Sequence, residues 1–145
     1  MDRAGARSIE LFESGYYCAE CVLLAIAEEK GIQSDLIPKI ATGFCIGLSR
    51  TCGMCGAVSG AVMGISMLTG RSSPEESFEE NHALVQSLIA GFQDRFGSVD
   101  CRDLIGCDLN TEDGQAFFDQ NDLFDLCKKY VAEATMAALS LLEAS

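Results

Sequence analysis

Apolar positions recur at three- and four-residue spacing along almost the whole chain, and no run alternates apolar with polar residues as a half-buried strand would. Ile9 and Phe12 make a short stripe over 3–14. Cys18, Val22, Ala25 and Ile26 line one face of a helix over 16–30, with Gly31 as its stop. Ser34 caps a third helix over 35–43, where Pro38 falls in the first turn and its missing N–H costs little. A fourth begins near Cys52 and ends before Gly70; Gly56, Gly60 and Gly64 recur every four residues on one face, where another backbone can come close. Ser73, Pro74 and Glu76 read as N-cap, first helical position and capping-box partner of a helix ended by Gly97, with Phe78, Val85, Leu88, Ile89, Phe92 and Phe96 as its buried stripe. A short helical piece follows at 100–105, LNTEDGQ reads as a loop, and the last helix runs over 122–142 with Phe124, Cys127, Val131, Ala134, Ala138 and Leu141 on one face. These elements predict an all-α chain: one domain over 1–145, a bundle of five or six helices around a glycine-rich central helix.

Charge narrows the function. Ten Lys and Arg stand against 22 Asp and Glu, a formal charge of −12, which repels phosphate backbones and anionic lipid; nucleic acid is excluded as a main partner. The uncharged stretch between Arg50 and Arg71 has the length of a membrane span, but its five Gly, two Thr and two Ser lack the Leu, Ile and Phe that drive insertion, so no membrane insertion is expected.

Eight cysteines are the unusual feature: Cys18, Cys21, Cys45, Cys52, Cys55, Cys101, Cys107 and Cys127. The N-terminal MDRAGARSIELFESG has no apolar signal core, so the expected compartment is the reducing cytoplasm, where clustered thiols bind metal or do redox chemistry more often than they staple a fold. Cys18-Ala-Glu-Cys21 and Cys52-Gly-Met-Cys55 are both C-x-x-C, but the 30 residues between them exceed compact zinc-finger spacing. The first pair lies within a helical pattern, where i, i+3 spacing sets both sulfurs on roughly one face. The second falls at the predicted start of the glycine-rich helix, where unpaired backbone N–H groups and the helix dipole favour thiolate. No βαβ pattern surrounds it, which excludes a thioredoxin fold. The lone His82 on its apolar stripe reads as an edge residue, and neither a phosphate loop nor a Ser/His/Asp motif is present.

Cys55-Gly56-Ala57-Val58-Ser59-Gly60 reads C-G-A-x-x-G. With Cys18-Ala19 upstream, Cys101-Arg-Asp-Leu104 downstream and Cys127 in the final helix, the chain resembles, over essentially its whole length, the redox-active family known as C_GCAxxG_C_C. The resemblance implies a primary set of Cys18, Cys55, Cys101 and Cys127, an expectation of redox chemistry, and a redox or transporter-associated partner. A related helical domain accompanies haem and an iron–sulfur centre in split-Soret cytochromes. Here the C-x-x-C pairs are followed by Val22 and Gly56 rather than His, so c-type haem is not expected.

Four thiols converging from four helical regions can hold an iron–sulfur cluster or zinc, or cycle as dithiols with Cys55 attacking and a neighbour resolving. Cys21 and Cys52 are further candidate ligands; Cys45 and Cys107 are surplus to a four-cysteine scheme. Cys55 and Cys52 are the candidate redox thiols, and Gly56 and Gly60 the candidate cofactor-binding glycines. The leading expectation is therefore a cytoplasmic cysteine-based redox protein. The alternatives are a structural or carrier zinc protein with a partner-binding surface, and a small-molecule or cofactor-binding subunit using the glycine-lined groove; a homodimer is compatible with each. The four family cysteines are expected to approach one another, with Cys55 the most reactive thiol and Cys52 its rival.

Overall fold

The computed structural model describes residues 2–145. Among these residues there are eight helical segments and one 3-10 turn, with no strand; Met54 and Asp100 form an isolated antiparallel bridge. The segments are α1 (Arg3–Glu13), α2 (Cys18–Glu29), the 3-10 turn (Lys39–Phe44), α3 (Cys45–Arg50), α4 (Gly56–Thr69), α5 (Glu79–Phe96), α6 (Cys101–Ile105), α7 (Glu112–Gln120) and α8 (Leu123–Ala144). The all-α class holds, and the expected five or six helices become eight because α3, α6 and α7 are too short to show a full apolar stripe. No helix of the described residues is long and apolar enough to cross a membrane.

Local chemistry explains most boundaries. The Asp2 carboxylate accepts the Gly5 N–H at 2.8 Å and starts α1. The Glu20 carboxylate accepts the Tyr17 N–H at 3.0 Å at the head of α2, and its second oxygen accepts the Thr42 hydroxyl at 2.8 Å, tying the 3-10 turn to that helix. Gly97, at φ +88°, closes α5. Two expectations fail at helix starts. The Ser73–Glu76 capping box closes only a turn, and α5 begins at Glu79, so Phe78 stays 42% exposed with His82 against its ring. The expected helix over 35–43 is instead a turn followed by the 3-10 segment. Conversely LNTEDGQ, read as a loop, contains the start of α7: the Thr111 hydroxyl accepts the Gly114 N–H at 2.9 Å.

The core is built from α1, α2, α4, α5 and α8. α2 is buried almost all round, through Ala19, Cys21, Val22, Leu23, Ala25, Ile26 and Ala27, and packs on α4. The recurring glycines make that contact. A Cβ on Gly60 would lie 2.6 Å from the Ala19 carbonyl oxygen, and one on Gly64 would lie 2.5 Å from Ile26 Cδ1. The groove left by these glycines is filled by α2.

Replacing Gly60 with Ala therefore sets a methyl against backbone that cannot yield, and is expected to cost about 1–3 kcal/mol. Gly91, inside α5 with open space around its Cα, is the control: Gly91→Ala should stabilise by up to about 1 kcal/mol. Urea denaturation of the reduced chain measures both, and a Gly60→Ala chain as stable as wild type would contradict the close approach.

Candidate functional site: a four-cysteine cavity

Cys18, Cys55, Cys101 and Cys127 all line one cavity of about 270 Å³. Its other walls are mostly apolar, among them Phe12, Leu104, Phe118, Phe124 and Tyr130, and Arg50 is its single basic side chain. Each thiol arrives on a different helix: Cys18 is the first residue of α2, Cys55 the N-cap of α4, Cys101 the first residue of α6, and Cys127 lies in α8. Cys55 is buried; the other three are half-buried.

Close approaches hold them there. Gly56 has no Cβ where the Cys18 sulfur sits; an alanine at that position would collide with Cys18 Sγ. Cys55 and Cys101 are joined by a two-bond antiparallel clip: the Cys55 N–H donates to Val99 O at 2.7 Å and the Cys101 N–H to Gly53 O at 2.8 Å. Gly47 lets Cys101 in, because a Cβ there would lie 2.6 Å from Cys101 Cβ. Gly47 belongs to α3, whose residues 46–49 have φ of 57–61° and ψ of 44–70°, a left-handed turn. Left-handed backbone costs roughly 1–2 kcal/mol for each residue with a side chain, and Ile46, Leu48, Ser49 and Arg50 all adopt it. The turn is secured by the Ser49 hydroxyl on Gly43 O at 2.8 Å, the Thr51 hydroxyl on Leu48 O at 2.8 Å and the Gly53 N–H on Gly47 O at 2.9 Å. It places Ile46 and Arg50 on the cavity wall, and the Ile46 N–H donates to Cys18 Sγ at 3.4 Å. Strain held in place by its surroundings in this way is typical of functional sites. No local pattern in the sequence signals it: Ile and Leu rarely adopt left-handed backbone.

The remaining candidates lie elsewhere. Cys21 is wholly buried in the core. Cys52 precedes α4 rather than starting it; at φ +68° it points its thiol at the Asp108 carboxylate, 3.1 Å away. Neither Cys21 nor Cys52 lines the cavity, nor do Cys45 and Cys107. Gly56 is on its wall, whereas Gly60 packs on Ala19 and Val22, so close helix packing replaces the cofactor contact expected there.

Electrostatics at Cys55 reverse the expectation of a low pKa. The N–H groups of Ala57 and Val58 do pull it down, but burial outweighs them and pushes the thiol up to about 11. Burial likewise raises Cys127 to about 12, helped by charge on Cys55, Cys101 and Cys107, and Cys101 to about 11. Cys52 is also raised, chiefly by its hydrogen bond to Asp108. The cavity thus stores protonated thiols, each of whose ionisation opposes the next. Among the described residues no three His, Cys, Asp or Glu side chains stand where they could grip one ion as they are.

An all-helical chain that turns four thiols onto one apolar cavity has the make-up of a cysteine-based redox protein. This chain belongs to the C_GCAxxG_C_C family, described as "Putative redox-active protein", whose pattern it matches over residues 16–141. It is also similar to an "Uncharacterized protein" of Archaeoglobus fulgidus, 29% identical over 112 residues that cover 71% of this chain and 74% of that one. No solved structure gives a significant match.

Raised thiol values fix a sign for the pH dependence. The folded chain holds these protons more tightly than the unfolded chain, so the associated stability is complete below an ordinary thiol value of 9.0 and is lost as pH rises towards about 11–12. Urea midpoints of the metal-free, reduced protein should therefore fall steadily above roughly pH 9. Iodoacetamide labelling of Cys55 should be slow near neutrality and climb about tenfold per pH unit. A Cys55 labelling rate that levels off below pH 9.0 would show that the helix N-terminus prevails over burial.

Proposed function

We propose that the chain is a redox protein that carries an iron–sulfur centre on Cys18, Cys55, Cys101 and Cys127. The observation behind this reading is that these four thiols, and no other of the eight, line a single buried cavity. Thiolates there repel one another across apolar walls, so the cavity favours a positively charged occupant that can take the place of four protons. A single zinc ion asks four sulfurs to stand about 2.3 Å from one point, and no three candidate ligands of the described residues are so gathered. A cluster spreads its irons over a volume and suits sulfurs arranged around a void. When bound, it would supply one-electron transfer.

The chain's own groups have definable tasks in this reading. The Ala57 and Val58 N–H groups stabilise the Cys55 thiolate and the Ile46 N–H that of Cys18; hydrogen bonds to ligand sulfur raise the potential of a centre. Phe12, Phe118 and Phe124 keep water from the sulfurs. The cytoplasm suits such a site, because a reducing compartment keeps free thiols available for assembly. The glycine groove is occupied by α2, which weighs against the small-molecule alternative at Gly60.

Anaerobic reconstitution with iron and sulfide tests this. Wild type should gain a broad absorbance at about 400–460 nm that bleaches on reduction, with iron and acid-labile sulfide bound in proportion. Cys55→Ser and Cys127→Ser should lose most of that iron, whereas Cys107→Ser, removing a thiol off the cavity wall, should retain it. A chain that stays colourless and binds zinc instead would overturn the reading.

A further inference from the structure

Cys45 takes no part in the cavity, yet it is next to a cysteine that does. It is 6% exposed, in a small apolar cluster with Ala19, Leu23 and Ala41, and Cys18 packs against that same cluster. Cys18 Sγ lies 3.4 Å from the backbone nitrogen of Ile46, the residue that follows Cys45. The Cys45 thiol lies 3.7 Å from the Ala41 carbonyl oxygen, and the Cys18 thiol is its hydrogen-bond partner on the other side. Cys18 is thus shared between two neighbourhoods, with Gly56 and the cavity on one side and Cys45 on the other. A second depression, lined by Cys45, Tyr17, Thr42 and Arg50, opens beside Cys45.

We propose that Cys18 and Cys45 form a reversible disulfide that withdraws Cys18 from the cavity, so that oxidation of the empty protein closes the site to metal. The consequence for metal rests on the iron–sulfur reading; the disulfide itself does not. The oxidant is a small-molecule disulfide, RSSR. Cys18, which lines the open cavity, loses its proton and attacks one sulfur of RSSR; a Cys18–S–S–R bond forms and RS⁻ leaves. Cys45 then loses its proton and attacks the Cys18 sulfur, the protein disulfide forms, and a second RS⁻ leaves. The two thiol protons end on two RSH, and two electrons pass from the protein to RSSR. Other thiols are less suited to pair with Cys18. Cys52 is directed at Asp108, and Cys21 has no exposed surface for the reagent. Reduction by a dithiol reverses both steps and returns Cys18 to the cavity.

The test uses the full chain, metal-free and reduced, incubated with hydroxyethyl disulfide and quenched with N-ethylmaleimide. Digestion at Lys, Arg and Glu separates Cys18 from Cys21, because Glu20 lies between them. The expected product is a peptide pair linked through Cys18 and Cys45. Oxidised wild type should then fail to take up iron and sulfide until dithiothreitol is added, while Cys45→Ser and Cys45→Ala, treated identically, remain loadable. Cys18 left free, or linked mainly to Cys55, Cys101 or Cys127, overturns the proposal, as does equal loss of uptake in the Cys45 variants. If neither variant has wild-type helicity, the linkage map of wild type decides. Reduced wild type that takes up no iron at all would overturn the iron–sulfur reading, while the linked peptides would still decide the disulfide.

Discussion

The close approach of α2 to α4 is the contact on which the cavity depends. Glycine at 60 and 64 lets α2 lie against α4 at distances no Cβ would allow, and glycine at 56 continues that contact to the point where Cys18 and Cys55 meet. Helix-interior glycine costs up to about 1 kcal/mol against alanine, a deficit offset by the apolar burial that close packing brings: Ala19, Val22, Ile26, Ala57, Val58, Ala61 and Ile65 are all at most 1% exposed. The same glycine series therefore assembles half of the core and half of the thiol set.

The other half depends on backbone that no helix supplies. Cys101 reaches Cys55 through a two-bond clip, and the left-handed turn of α3 closes over that clip with Gly47 against Cys101. Four residues with side chains are held at positive φ to do this. The hydroxyls of Ser49 and Thr51 accordingly have a structural task, since each binds a carbonyl that the left-handed chain turns away from regular helical bonding.

At the sulfurs two opposed effects meet at one residue. The first turn of α4 offers N–H groups to Cys55 and favours the thiolate; enclosure by apolar side chains disfavours it, and enclosure is the larger. A helix N-terminus lowers a thiol pKa when water still reaches the sulfur, and Cys55 is only 7% exposed. The outcome is a site poor in spontaneous nucleophilicity and receptive to cations. That balance, rather than the count of cysteines, favours metal over dithiol cycling.

The sequence by itself determined the class of the fold, the close-packing face of α4, the ends of α1, α5 and α6, and the four helical regions that bring thiols to one place. All of these follow from short-range periodicity and from the order of cysteines along the chain. Tertiary structure alone decided which thiols face the cavity. At i, i+3 Cys18 and Cys21 differ by only about 60° around the helix, yet that rotation sends one sulfur to the cavity and the other into the core, according to what packs on each side of α2. Cys52 and Cys55 are separated for a different reason: α4 starts at Gly56, because Cys55 gives its N–H to Val99, 44 residues away in the chain, and Cys52 is left in the preceding turn beside Asp108. The α7 start was present locally in Thr111, but Gly114 reads as a breaker until the Asp108 carbonyl is seen occupying the space of its missing side chain. The left-handed turn had no local signature, because its cost is met by contacts with Gly43, Gly53 and Cys18 that exist only once the helices have packed.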